Sequence, residues 1–280
     1  MTKEVKFSFQ GIKGAYSELA GKKIFSNSIS IPNKTFEEMF DAVRNNKADV
    51  ALVPIENSRA GRVADTQRLI PESNLKIIGE YFLEVNHCLL GIPGTTLKDI
   101  KRIHSHEQAI TQCRNNIINH NKDMIIAADT AGAAKFISEK NNKEDAAIAS
   151  NLAAKTYNLD IVETNFQDVE NNVTRFLIMS KNSINLDLNE TNLMTTLIFE
   201  LKSIPAALYK SLGGLASNGV NMTKLESYIN PQGFDVAQFY LDIEGHPENQ
   251  NVKLALEEMK FFCKHLDILG VYKMSNFRKK

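Results

Sequence analysis

The feature that most constrains this chain is an alternation of short apolar runs with helix-period segments through its first two-thirds. Val5-Lys6-Phe7-Ser8-Phe9 alternates as a strand, and Tyr16 to Phe25 reads as a helix. Thr35-Phe36-Glu37-Glu38 opens a second helix, because a threonine N-cap with a glutamate three residues on is a capping box. Asp49-Val50-Ala51-Leu52-Val53 is a buried strand by its β-branched content. The pattern continues with strands over 123–127 and 146–149 and helices over 130–139 and 151–157. Strands separated by helices predict parallel sheets with covered faces. Two long extended passages, 76–91 and 161–180, would carry the chain out to a second lobe and back. A cleft between lobes is a usual place for a ligand.

Beyond a polar, Asn-rich linker at 182–193 the pattern changes. A strand over 195–201, a helix over 206–216, a strand over 221–229, a turn at Pro231-Gln232-Gly233, a strand over 234–243, a helix over 251–265 and a strand over 269–273 give the order βαββαβ. That order is ferredoxin-like. The closing Arg278-Lys279-Lys280 reads as a solvated tail.

Composition removes several functions. The 33 basic and 33 acidic side chains balance, which argues against a nucleic-acid binder. No run of roughly 18 apolar residues is present, so no membrane-spanning helix is expected. The polar start lacks the apolar core of a secretory signal and predicts a cytoplasmic protein. Cys88, Cys113 and Cys263 are far apart and form no C-x-x-C pair, so they read as reduced thiols.

Four segments carry candidate chemistry. Gly11-x-x-Gly14 lacks dinucleotide spacing but sets a tight turn before a helix. With the Tyr16 and Ser17 hydroxyls it reads either as an anion site or as a plain β–α turn. Pro54-Ile55-Glu56-Asn57-Ser58 gathers carboxylate, amide and hydroxyl at the carboxyl end of a buried strand, where ligands sit in open α/β sheets. His104-Ser105-His106 has no third ligand nearby, so no metal is expected, and Ser105 and His106 read as caps of the helix over 107–118. That helix carries Gln108 and Gln112 on one face. Asn172-Val173-Thr174-Arg175-Phe176 enters an apolar run, with Thr174 and Phe176 on one strand face and Arg175 on the other.

In this order and spacing the segments resemble prephenate dehydratase with a C-terminal ACT domain, over essentially the whole chain. The resemblance implies a two-lobed, periplasmic-binding-protein-like α/β catalytic domain at 1–181, with lobes of about 1–79 plus 163–181 and of 80–162, and a ferredoxin-like ACT domain at 194–274. It implies conversion of prephenate to phenylpyruvate, CO2 and water in phenylalanine biosynthesis, with no cofactor and no metal. Thr174 and Glu56 are the implied catalytic groups. Arg175, Phe176, Asn57, Ser58, Ser105 and Gln112 are the implied substrate contacts. Phenylalanine is the implied effector, at Ala206, Ala207, Leu208, Glu226 and Ser227, and the implied assembly is a homodimer or homotetramer. Ala206 and Tyr228-Ile229 depart from the family's commoner glycine and Arg-Pro at those places. Arogenate dehydratase and a two-lobed amino-acid sensor are the competing readings.

The reaction needs help for hydroxide to leave as water, and a grip on a dianion. A threonine hydroxyl is a poor acid, so a hydrogen bond that strengthens as the C–O bond breaks is the expected role of Thr174, with Glu56 the alternative donor. Arg175 is the expected clamp on the pyruvyl carboxylate, since a cation on the ring carboxylate would stabilise the group that must lose its charge. Phe176 either packs on the substrate ring or supports its strand.

Overall fold

The computed structural model describes residues 4–187, 190–229 and 237–279. By its contacts the chain divides into two units, Met1–Val63 with Tyr81–Phe176, and Ala64–Glu80 with Leu177–Lys280.

The chain begins with β1 (Val5–Gln10), α1 (Tyr16–Ile24), β2 (Ser28–Asn33), α2 (Phe36–Arg44), β3 (Val50–Asn57), β4 (Gly61–Arg62), α3 (Ala64–Glu72) and β5 (Lys76–Glu84). It continues with β6 (Cys88–Gly91), β7 (Arg102–Ser105), α4 (Glu107–Gln112), α5 (Arg114–Asn119), β8 (Asp123–Ile126), α6 (Thr130–Lys140), β9 (Asp145–Ala149), α7 (Asn151–Tyr157), β10 (Asp160–Glu163) and β11 (Val173–Ser180). One sheet has the order β2-β1-β3-β11-β5, with β4 on β3, and a second has the order β10-β6-β9-β7-β8. The parallel pairing expected from the sequence is present where β1 meets β2 and β3, and where β7 meets β8 and β9. In the second sheet β6 instead runs antiparallel to both β9 and β10, so that sheet is mixed.

Local chemistry explains the ends of these elements. Thr35 caps α2 by accepting from the Glu38 N–H at 3.1 Å, and the Glu38 carboxylate accepts from the Lys34 N–H at 2.8 Å. Ala51, Leu52, Val53 and Ile55 of β3 have no exposed surface, which fixes that strand at the centre of its sheet. The helix expected over 107–118 is two helices. Asp168 caps the second, accepting from the N–H groups of Asn115 at 2.8 Å and Asn116 at 3.0 Å, which starts a new turn after Cys113.

The second unit carries β12 (Leu193–Leu201), α8 (Ala207–Ser217), β13 (Met222–Ile229), β14 (Ala237–Glu244), α9 (Gln250–Phe262) and β15 (Cys263–Lys273). Its sheet order β13-β14-β12-β15 is the ferredoxin-like arrangement read from the sequence. The turn expected at Pro231-Gln232-Gly233 lies outside the described residues. Cys263-Lys264-His265, expected to close the last helix, belong to β15, where Cys263 pairs with Leu201 and His265 with Glu200. Helix passes into strand with no loop between. Gly270 on β15 is forced by a close approach, since a Cβ there would lie 2.1 Å from the Ile77 carbonyl oxygen of β5.

The C-terminal tail is not simply solvated. Arg278 donates from Nε to Glu80 Oε1 at 2.7 Å and from Nη2 to Glu80 Oε2 at 3.0 Å, and Asp242 Oδ2 lies 3.7 Å from Nη2. Glu80 and Asp242 are both buried, so removing the arginine takes away a cation that offsets carboxylate charge held away from water. Arg278→Ala is expected to cost about 3 kcal/mol of stability, read from the denaturant midpoint; a change below about 0.5 kcal/mol would assign the pair no structural weight.

Candidate active site

The two segments singled out in the sequence lie side by side, because β3 and β11 are neighbours in one sheet. The Ser58 N–H donates to the Val173 carbonyl and the Val173 N–H donates to Ser58 Oγ, each at 2.9 Å. Ser58 Oγ donates in turn to the Asn171 carbonyl at 2.9 Å. Arg175 Nη1 lies 3.1 Å from Glu56 Oε1. Ser58 therefore ties the loop to the strand.

A chain of neutral hydrogen bonds starts from this junction, and its direction can be deduced. The backbone N–H groups of Arg59 and Ala60 both donate to Asn57 Oδ1 at 2.9 Å. A backbone N–H can only donate, so the oxygen of that amide faces them and the nitrogen faces away. Asn57 Nδ2 donates to Asn172 Oδ1 at 2.8 Å and to Thr174 Oγ1 at 2.9 Å. Asn172 Nδ2 then donates to Gln112 Oε1 at 2.7 Å. That same oxygen lies 2.8 Å from His87 Nε2, and His87 Nδ1 lies 2.7 Å from the Tyr16 hydroxyl. Burial holds the His87 imidazole below its ordinary pKa, against the hydrogen bond to Gln112 that favours protonation, so the ring is neutral near pH 7. Burial, with the Cys88 and Cys113 thiols, pushes the Tyr16 phenol well up, so it stays a donor.

These groups border a cavity of about 360 Å³, whose lining includes Tyr16, Asn57, His87, Gln112, Asn172 and Thr174. The size suits a small ligand. Its remaining lining includes Gln108, His106, Asp129 and Thr130, so the face of α4 that carries Gln108 and Gln112 borders the cavity.

Of the residues expected to touch substrate, the structure brings Thr174, Asn57 and Gln112 to this lining. It does not bring Glu56, Ser58, Ser105, Arg175 or Phe176 there. Arg175 is 1% exposed and Phe176 is buried, because successive side chains of β11 leave on opposite faces and the strand is covered. The Arg175 guanidinium also stacks near the Phe82 ring, 5.9 Å from its centroid. Ser105 is fully buried and donates to the Ile148 carbonyl at 2.6 Å.

The glycine turn resolves toward its plainer reading. The Gly14 N–H donates to Glu18 Oε2 at 2.6 Å, and that carboxylate also accepts from Ser30 Oγ at 2.7 Å. The protein's own carboxylate fills the place of an external anion. His106, not Ser105, caps α4, accepting from the Gln108 N–H at 3.3 Å, while His104 Nε2 lies 2.9 Å from Asp145. All three cysteines are buried, and burial raises each thiol pKa, so they stay protonated.

Sequence reading missed His87, Asp129 and the bridging role of Asn172. His87 sits 25 positions from Gln112 and 71 from Tyr16, so no local spacing marks it. Asn172 was part of a recognised segment, yet its partner Gln112 is 60 positions away.

A polar cavity held by neutral amides, an imidazole and a hydroxyl within an α/β unit marks a protein that takes a small polar ligand. The prephenate dehydratase family profile matches residues 7–184. A protein of Komagataeibacter europaeus named bifunctional N-acyl-homoserine lactone acylase/prephenate dehydratase is 46% identical over 280 residues, covering all of both chains. Arogenate dehydratase/prephenate dehydratase 1 of Arabidopsis thaliana is 38% identical, covering 98% of this chain and 74% of that protein. The structure of prephenate dehydratase from Arthrobacter aurescens in complex with L-Phe superposes with a TM-score of 0.86 at 30% identity, covering 96% of this chain and 90% of that one. The chain belongs to the prephenate dehydratase family, lyases that join loss of water to loss of CO2.

Asn57→Asp tests the direction of the network. It keeps the oxygen that serves Arg59 and Ala60 but sets a second oxygen against Asn172 Oδ1 and draws the Thr174 proton to itself. The expected loss in dehydratase kcat/KM is about 10- to 100-fold, and undiminished turnover would refute the assigned direction.

Proposed function

We propose that the cavity binds prephenate and that Thr174 hydrogen-bonds the departing ring hydroxyl. One observation carries this reading: Thr174 Oγ1 accepts from Asn57 Nδ2 and has no other hydrogen-bond partner among the described residues, so its own proton is unspent at the cavity wall. Accepting that bond makes the hydroxyl a better donor. As the ring carboxylate leaves as CO2, its electron pair completes the aromatic ring and the C–O bond breaks. The hydroxide leaves as water, with one proton drawn in the end from solvent. Glu56 is the weaker candidate acid, since a carboxylate paired with a guanidinium has no proton to give. Arg175 and Glu56 then hold each other behind the reacting face, and Asn57 and Gln112 orient the substrate.

Among the described residues no lysine or arginine lines the cavity. The N–H groups of Thr130 and Ala131 open α6 beside it, and such helix N-termini attract carboxylates. Thr174→Val is expected to lose about 10²- to 10⁴-fold in kcat while Thr174→Ser keeps most activity, followed by the ultraviolet absorbance of phenylpyruvate in alkali. Equal activity of Thr174→Val and the parent protein would end this assignment.

One observation favours arogenate as a second substrate. Asp129 puts a carboxylate on the lining, and arogenate carries an ammonium where prephenate has a keto group. Side-by-side kcat/KM values for the two substrates decide between them.

We further infer that residues 1–181 carry the chemistry and 194–274 form an ACT domain that binds phenylalanine. The ferredoxin-like order and the phenylalanine complex of the Arthrobacter aurescens relative support this. Ala206 caps α8 in the left-handed region at φ 61°, a conformation that glycine adopts without strain. Ala207 is buried, and Leu208 packs against the core of this domain. Glu226 pairs with Lys224 at 2.8 Å and accepts from Gln67 Nε2 at 2.7 Å, and Ser227 pairs in register with Phe239. Phenylalanine should raise the thermal midpoint by about 3 °C or more at saturation and lower turnover. An unchanged midpoint would leave the domain without this effector.

A further inference from the structure

We propose that His87 is a positioning residue for this site: as the neutral tautomer protonated on Nε2, it locks the Gln112 amide with its NH2 group free for substrate. This rests on the cavity being where dehydration occurs. The argument runs along the hydrogen bonds. Asn172 Nδ2 donates to Gln112 Oε1, so that atom is the amide oxygen, an acceptor. His87 Nε2, 2.8 Å from the same oxygen, must carry the proton. In a neutral ring Nδ1 is then bare, and the Tyr16 hydroxyl, 2.7 Å from it and 3.1 Å from the Asn86 carbonyl, gives its one proton to the nearer nitrogen.

The other arrangements fail. A ring protonated only on Nδ1 would point a bare Nε2 at a carbonyl oxygen. An imidazolium would charge a ring that is 3% exposed. Two donors converge on Oε1, so rotating the Gln112 amide would set its NH2 against both. The Gln112 Nε2 group has no partner among the described residues and borders the cavity, as does the Thr174 hydroxyl. The relay leaves its two unspent donors on one wall.

His87 is also fixed from behind. Its backbone N–H donates to Gln167 Oε1 at 2.8 Å, and its ring meets Tyr16 edge-on with centroids 5.5 Å apart. The ring can neither swing nor exchange its two nitrogens without breaking these contacts.

Two measurements test this. ¹⁵N NMR of the imidazoles at neutral pH should show His87 protonated on Nε2 and bare on Nδ1; the opposite pattern would overturn the proposal. A double-mutant cycle then reads the coupling through Gln112. His87→Leu should lower kcat/KM about 10- to 100-fold in the parent protein but less than about 2-fold in a Gln112→Ala background. Equal losses in both backgrounds would mean that His87 merely supports the fold and would overturn the relay. His87→Gln, whose terminal amide can replace the Nε2 donor, should recover most of the activity, and a loss as large as that of His87→Leu counts against the proposal; if His87→Leu does not fold, His87→Asn, whose shorter amide stops short of Gln112, carries the cycle in its place. An inactive parent protein would refute the dehydratase reading instead, and the tautomer would still be read by NMR.

Discussion

Two backbone N–H groups aimed at one amide oxygen set the polarity of the whole cavity. Once Arg59 and Ala60 hold Asn57 Oδ1, every later donor and acceptor has a single direction. The turn after β3 thus decides which way amides and an imidazole face on elements far away in sequence. Ser58, one residue on, stitches that turn to the start of β11, so the source of the direction and the strand bearing Thr174 move together. Tertiary structure here does what no single side chain could do, which is to make an amide, normally ambiguous, into an oriented group.

The same unit separates neutral from charged chemistry. The cavity network is uncharged, and apart from the Gln112 NH2 group and the Thr174 proton, which border the cavity, its polar groups are hydrogen-bonded to one another, which keeps its desolvation cost small. Apart from the Asp129 carboxylate on the lining, charged groups of this unit are paired elsewhere. Asp145, wholly buried, is held by Arg102 at 2.7 Å, Lys140 at 2.8 Å and His104 at 2.9 Å, and this keeps its carboxyl far below the usual range. Arg175 and Glu56 form a second pair on the covered face of β11. For the substrate proposed above, one of whose carboxylates loses its charge, fixed dipoles serve better than mobile cations, since they need not reorganise during the reaction.

Much of the architecture was legible because it follows from periodicity. The capping box at Thr35, the buried run of β3 and the switch to a βαββαβ order are local signals. The placement of Thr174 and Arg175 on opposite strand faces was equally legible, but its consequence was not. Burial depends on what packs against the strand, so Arg175 was expected in the cleft and is instead buried off the cavity lining. The antiparallel β6 was hidden for a similar reason: four residues, Cys88–Gly91, carry no mark of which neighbour they will choose. His87 lay outside any motif because its partners come from α1 and α4, and such partnerships exist only once the chain has closed. Gly14 shows the reverse case, where the residue that settles its role, Glu18, was one helical turn away and was not weighed.

The direct passage of α9 into β15 leaves no slack residue at Cys263. Length at this seam is consequently invariant. One added residue would send every side chain of β15 to the other side of its sheet, taking Leu269 and Tyr272 from the neighbours each packs against, unless the helix unwound to absorb it. Insertions and deletions in descendants of this chain should therefore avoid the junction, however mild the substituted residue.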